Sequence, residues 1–230
     1  MSDTAISGSF GYCGKLPARR DFVKDGLPEA FEQVWHEWIQ SALAVSKEQL
    51  GDQWLSCYLT SPIWHFALSS GVCGDETLVG TMIPSVDAIG RHYPFTLVAG
   101  VEEAAIHYWK DRQWGDYTSE KALDVLDDDI DLKKWAKGLA DEHPLSEVAI
   151  EPADLNAVAN KGSGIVFSDS GLSSCPAILD QYLKEQHDAY CIWWTEGSEL
   201  VQQCTLITSK LPLVSQFAAM LDGDWKAWGW

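Results

Sequence analysis

Two nearly unbroken apolar runs, TLVGTMI at 77–83 and PFTLVAGV at 94–101, restrict the fold more than any other feature of the chain. A strand with one wet face alternates apolar and polar residues, so runs without alternation read as strands covered on both faces. A third strand, IWHFALS at 63–69, precedes them, and clusters of Gly, Pro, Ser and Asp separate the three. Upstream the period changes. In LPEAFEQVWHEWIQSAL, Phe31, Val34, Trp35, Trp38, Ile39 and Ala42 recur at i, i+3, i+4 and i+7, Pro28 suits a first turn, and Glu29 and Glu32 suit the positive helix end. This spacing predicts an amphipathic helix with His36 and Glu37 on its solvated side.

The acidic middle, SEKALDVLDDDIDLKKWAKGLADEH, carries two helical stripes: Leu123, Leu126 and Ile130, then Leu132, Trp135 and Leu139. A break at Asp127–Asp131 fits between them, with Asp131 as N-cap of the second helix. The aspartates lack the glycine and carboxylate spacing of a calcium loop and read as a solvated face. The last third reads strand (SGIVFS), helix (CPAILDQYLKEQ), strand (YCIWWT), strand (LVQQCTLIT) and helix (LPLVSQFAAML). Strands interspersed with helices point to a layered α/β domain. No linker or low-complexity run divides residues 1–230, so a single domain is expected.

Composition narrows the partners. Sixteen basic against 34 acidic side chains give a formal charge of −18, which repels phosphate backbones and anionic lipid and argues against nucleic acid and membrane surfaces. No basic-then-apolar leader opens the chain, and no run approaches the roughly 18 apolar residues of a membrane span. Cys13, Cys57, Cys73, Cys175, Cys191 and Cys204 are widely spaced with no CxxC, which fits reduced thiols in a cytoplasmic protein and no structural zinc. Twelve tryptophans exceed ordinary usage. Bulky packing accounts for most of them; the terminal LDGDWKAWGW should dock Trp225, while Trp228 and Trp230 are candidates for an aromatic contact surface.

Against this acidic background, GYCGKLPARRDF at 11–22 concentrates Lys15, Arg19 and Arg20 with Asp21 between turn residues and aromatic ends. It reads as a shaped loop after a short strand around Gly8–Tyr12. Gly14-Lys15 suggests a phosphate loop, but Ser9 stands where its first glycine belongs, and Leu16-Pro17 replace the magnesium-binding hydroxyl and helix start. Nucleophile elbows are missing too: Gly162-Ser163-Gly164 is too short, and Ser168-Asp169-Ser170-Gly171 is turn chemistry. The histidines form no HxxxH or HExxH pair, and no cofactor is indicated. A second constellation, Asp87, Arg91 and His92 in PSVDAIGRHYPF, leads into the strand at 94. The two clusters suggest internal pairs that tie the loops together, such as Asp87 with Arg19 or Arg91 with Asp21. The competing reading leaves one or two arginines free to grip an acidic or phosphorylated partner. A different class, a phosphate- or nucleotide-binding hydrolase using Lys15, Arg19 and Arg91, is the alternative.

At these residues the chain resembles the TagF (also called ImpM) family of accessory proteins of bacterial type VI secretion systems. The resemblance rests on GYCGKLPARRDF with the GLP that follows, SPIWHFAL, PSVDAIGRHYPF, IWWTEG, and the terminal KLP with FAAMLDGDW, in the family's order across nearly the whole chain. It implies an α/β fold, a three-layer sandwich with a central mixed sheet flanked by helices. It also implies a cytoplasmic, non-enzymatic regulator that represses secretion post-translationally and engages the forkhead-associated scaffold protein of the apparatus. One departure stands out. The family usually has glycine where this chain has Arg20, and a positive φ there would strain an arginine.

Overall fold

In a computed structural model, residues 10–109, 111–127, 130–142, 156–161, 164–168 and 175–230 are described. Gly8 and Ser9 of the predicted first strand, Asp128 and Asp129 of the acidic run, and the 162–163 and 169–171 turn residues lie outside them. A seven-stranded sheet has the order β2-β1-β5-β4-β3-β8-β9, built from β1 (Phe10–Gly14), β2 (Val23–Asp25), β3 (Trp64–Leu68), β4 (Thr77–Ile83), β5 (Phe95–Val101), β8 (Cys191–Thr195) and β9 (Cys204–Thr208). The two apolar runs are β4 and β5, and they are central, as their lack of alternation predicts. Every pairing in the sheet is antiparallel, which corrects the expected mixed sheet. Interspersed helices had suggested crossovers between parallel strands; here β3, β4 and β5 instead pair in sequence order and the helices enter between or after them. Two further strands, β6 (Asn156–Lys161) and β7 (Gly164–Ser168), form a separate hairpin.

Each face of the sheet supports its own core. On one face lie α1 (Glu29–Leu50), α2 (Trp54–Leu59) and the C-terminal turn α6 (Ala219–Asp222). On the other lie a 3₁₀ turn at Ala105–Tyr108, α3 (Arg112–Asp124), α4 (Leu132–Glu142) and, through Leu183, α5 (Cys175–His187). Alternation along β3 divides the two: Trp64, Phe66 and Leu68 join the α1 core, and Ala67 joins the α3 core.

The helical spacing of α1 is realised at Phe31, Trp35, Trp38, Ile39 and Ala42, which are buried against the sheet, but not at Val34, which sits at the edge of that stripe and is exposed. Pro28 caps the start from an extended conformation, and Gly51 ends the helix at φ 52°. Trp35 is inaccessible to solvent and contacts the rings of Phe31, Trp38, Phe66 and Trp193 at centroid distances of 4.7–5.8 Å. Its indole N–H donates to Thr96 Oγ1 (3.2 Å), which removes the penalty of burying that polar group. Burying a side chain of this size contributes about 3 kcal/mol, so this aromatic stack is a main tie between α1 and the sheet.

The predicted helix register fails in one place. α3 begins at Arg112, well before the acidic run, and buries Trp114, Thr118 and Ala122, with Val125 buried at its C-cap, while Leu123 is exposed. Trp114, Thr118 and Ala122 recur every four residues and define the buried face, which leaves Leu123 outside it while Leu126 still packs partly against the same core. Asp131, by contrast, caps α4 as predicted, accepting the Lys134 N–H at 3.2 Å. Beneath α3, His65 is buried in a chain of hydroxyls. Thr118 donates to the Trp114 carbonyl (2.8 Å), and Thr81 donates to Thr118 (2.7 Å). Thr81 therefore accepts from His65 Nδ1 (2.8 Å), and Nε2 is left to accept from Ser119 (3.3 Å).

Candidate functional site

The two unusual loops of the sequence meet at one end of the sheet. β1 delivers the loop at 15–22 and β5 receives the loop at 84–94, and because β1 and β5 are paired neighbours the loops lie side by side. Gly14 makes the close approach possible. A Cβ there would lie 2.4 Å from the Pro94 carbonyl oxygen and 2.6 Å from Phe95 Cα, and its φ is 144°. The glycine that hinted at a phosphate loop thus serves backbone packing.

Asp87 is the centre of the joint, its side chain shielded from solvent. Oδ2 accepts from Lys15 Nζ at 2.9 Å and Arg91 Nε at 2.6 Å. Oδ1 accepts from the backbone N–H groups of Ile89 (3.1 Å) and Arg91 (2.8 Å). Burial by itself would push the Asp87 carboxyl up, but the bonds from Lys15, Arg91 and Ile89 outweigh it and hold the group far below the usual carboxylate range. Around it, Ala88 N–H donates to the Arg19 carbonyl (2.9 Å), Ser85 Oγ to the Lys15 carbonyl (2.6 Å), and the Arg91 guanidinium to the Arg20 carbonyl.

These contacts unite the predicted clusters but correct their pairing. Asp87 pairs with Lys15 and with its own neighbour Arg91, rather than with Arg19, and Arg91 does not reach Asp21. The reason is local geometry. The loop at 84–94 folds on itself through Asp87 N–H to the Arg91 carbonyl (3.0 Å), which brings Arg91 to the carboxylate. A turn closed by Arg19 N–H on the Leu16 carbonyl (3.0 Å) leads Arg19 away to the Ile130 carbonyl (3.1 Å). Arg20 and Asp21 are exposed, and among the described residues neither side chain has an ion pair. Arg20 is not among the positive-φ residues, so the left-handed strain that a positive φ would impose on an arginine is not present here.

Sequence reasoning missed the supports. Tyr58, from the unpredicted helix α2, donates to the Ser85 carbonyl (2.8 Å) and accepts the Ser85 N–H (3.1 Å). His92 meets Trp54 and Tyr58 edge-on at 5.1 and 5.4 Å, and burial, with Lys47 and Lys15 nearby, lowers its pKa despite Asp87. His36 is not the free surface residue expected. Its Nδ1 lies 3.1 Å from the Tyr93 hydroxyl, and its ring contacts Phe22 and Tyr93. Phe22 and Tyr93, which end the two loops, meet edge-to-face at 5.0 Å. The joint is thus ionic at Asp87 and aromatic at its far end. The aromatic ends of the two motifs were the only sequence signal for it.

Two open recesses flank the edge strand β2. One, of about 910 Å³, lies between Phe22 and Lys24 and the α1 residues Glu29, Glu32, Gln33, His36, Glu37 and Gln40. The other, of about 500 Å³, is bordered by Tyr12, Arg19, Val23 and Ile130–Lys133. The terminal tryptophans, of which Trp228 and Trp230 are candidates for a contact surface, are half-buried. Trp228 Nε1 donates to Asp222 (2.8 Å), Trp230 Nε1 donates to the Gln216 carbonyl (3.1 Å), and Trp225 contacts Trp64 and Trp230. Among the described residues no group of three or more His, Cys, Asp or Glu is placed to hold a metal ion, and no helix is long and apolar enough to cross a membrane. Cys13, Cys57, Cys73, Cys191 and Cys204 are free thiols.

An α/β domain with an antiparallel sheet, whose two distinctive motifs lock into one polar joint, is therefore the class of protein at hand. The family model for the TagF N-terminal domain, described as type VI secretion system-associated, matches residues 11–141, more than half of the chain. The chain belongs to this family. The match contains both loops, whereas β8 and β9, which complete the sheet, lie beyond it. Among solved structures, the crystal structure of PA0076 from Pseudomonas aeruginosa PAO1 is similar with a TM-score of 0.74 and 26% identity, covering 94% of each chain. No curated protein matches the chain.

Proposed function

We propose that this protein is a non-enzymatic, cytoplasmic, post-translational repressor of a type VI secretion system, acting by occupying the forkhead-associated scaffold protein of the apparatus. The observation that carries the reading is the family match over residues 11–141. The helices packed on both faces of the sheet support the three-layer sandwich expected of such a regulator. The geometry also weighs against the hydrolase alternative. Lys15 and Arg91 are committed to Asp87, Arg19 turns to the Ile130 carbonyl, and neither recess beside β2 gathers more than one of the three cations. A phosphate site needs several donors converging on one open space.

Titration of the purified scaffold into this protein by calorimetry tests the reading, and a saturable complex is expected. No heat and no co-elution with both proteins folded would remove it. In a parallel thermal-shift series with nucleotides, no stabilisation is expected. A true ligand at 100 times its Kd would add about 2.7 kcal/mol, and such a shift would restore the hydrolase.

A further inference from the structure

The joint between the two loops carries an exposed tip. Arg19, Arg20, Ile89 and Arg91 all reach solvent there, with Ile89 at 59% exposure and the Arg91 side chain at 54%. The bond from the Ala88 N–H to the Arg19 carbonyl and that from the Arg91 guanidinium to the Arg20 carbonyl hold the two loops side by side there, with the Arg19 side chain turned toward the Ile130 carbonyl at the rim. We infer that this tip is the surface that grips an acidic, carboxylate-bearing segment of the scaffold partner. The inference rests on the scaffold reading above and adds where that partner binds and by what chemistry.

Electrostatics selects the place. On a chain of net charge −18, an acidic partner is repelled by most of the surface and attracted where cations gather, so the tip orients its approach. The Arg20 guanidinium makes no hydrogen bond or ion pair among the described residues, and its planar fork matches a carboxylate two bonds at a time. Ile89 places an exposed aliphatic side chain beside these arginines, the combination of apolar centre and Arg that recurs in interfaces. Carboxylates fit better than phosphate, because Lys15 and two nitrogens of Arg91 are already used inside the joint. Asp21, also exposed, follows Arg20 directly in the chain. The base beneath is fixed by Asp87 and by Tyr58 on Ser85, so little loop ordering is needed on binding.

The test compares wild type, the double variant Arg20→Glu/Ile89→Asp, and Lys226→Glu as an exposed charge reversal away from the tip, each titrated with the scaffold at two salt concentrations. Unchanged melting temperatures establish that the variants are folded. The expected result is wild-type affinity that falls with salt, a loss of tenfold or more in the double variant, and a change under twofold for Lys226→Glu. Double-variant binding within twofold of wild type overturns the tip while leaving the scaffold reading intact. Failure of wild type itself to bind removes both. Phosphatase treatment of the scaffold should leave affinity unchanged, and its loss would overturn the carboxylate assignment in favour of phosphate.

Discussion

Two buried polar clusters sit on this sheet, and they solve the same problem in opposite ways. Asp87 is kept charged at the end of the sheet by four donors, two of them from cationic side chains. His65 is kept neutral under α3 by hydroxyls, and burial lowers its pKa from 6.5 to about 4. The difference teaches which cluster can present charge. A paired charge joins two loops and leaves spare cations at the rim, whereas a neutral hydroxyl chain only stitches a helix to the strands beneath it.

The sharpest way to break the comparison is Asp87→Ala. It leaves Lys15, whose side chain is only 14% exposed, without its partner and frees two backbone N–H groups. The melting temperature at neutral pH should fall by on the order of 10 °C. An unchanged value would show that the joint does not hold the loops.

Acid separates the two clusters. Because the His65 pKa is lowered in the fold, the unfolded chain takes up its proton first, so stability drops as pH falls from 6.5 to about 4. The loss across that window is roughly 3 kcal/mol. Asp87 is lowered too, so its contribution is fully present above the ordinary carboxylate range and is lost only as pH falls below it toward the folded value. Denaturant unfolding across pH should show the first slope weaken in His65→Gln, with the remainder from His92 and His107, and the steeper acid limb weaken in Asp87→Asn. Identical pH profiles for wild type and His65→Gln would break the assignment.

Smaller effects sharpen the division within the joint. Arg91→Ala removes one bond to Asp87 and one to the Arg20 carbonyl from a half-exposed side chain, and should cost about 1–2 kcal/mol in denaturant unfolding. Arg20→Ala should change stability by less than about 0.5 kcal/mol, since its side chain holds nothing inside the fold. Equal losses for both would mean that Arg20 is structural and the tip is not free.

The Asp87 joint was partly legible in the sequence. A basic cluster in an acidic chain and a turn-rich segment before an apolar strand marked both loops, because special backbone shapes and local charge reversals need particular residue types. The partners were not legible: Lys15 rather than Arg19 meets Asp87 because a turn after Leu16 redirects the chain. The His65 cluster left no mark at all. Its hydroxyls come from β4 and α3, and no local pattern links His65 to Thr81, Thr118 and Ser119.

By itself the sequence determined the central strands, the face that α1 buries, the Asp131 cap and the two loops, since each depends on periodicity or turn chemistry within a few residues. Tertiary structure alone decided the antiparallel order of the sheet, the inward register of α3, the seating of His36 and the terminal tryptophans, and which cations Asp87 takes. Those outcomes rest on contacts between residues far apart in the chain, which only packing against the sheet brings together.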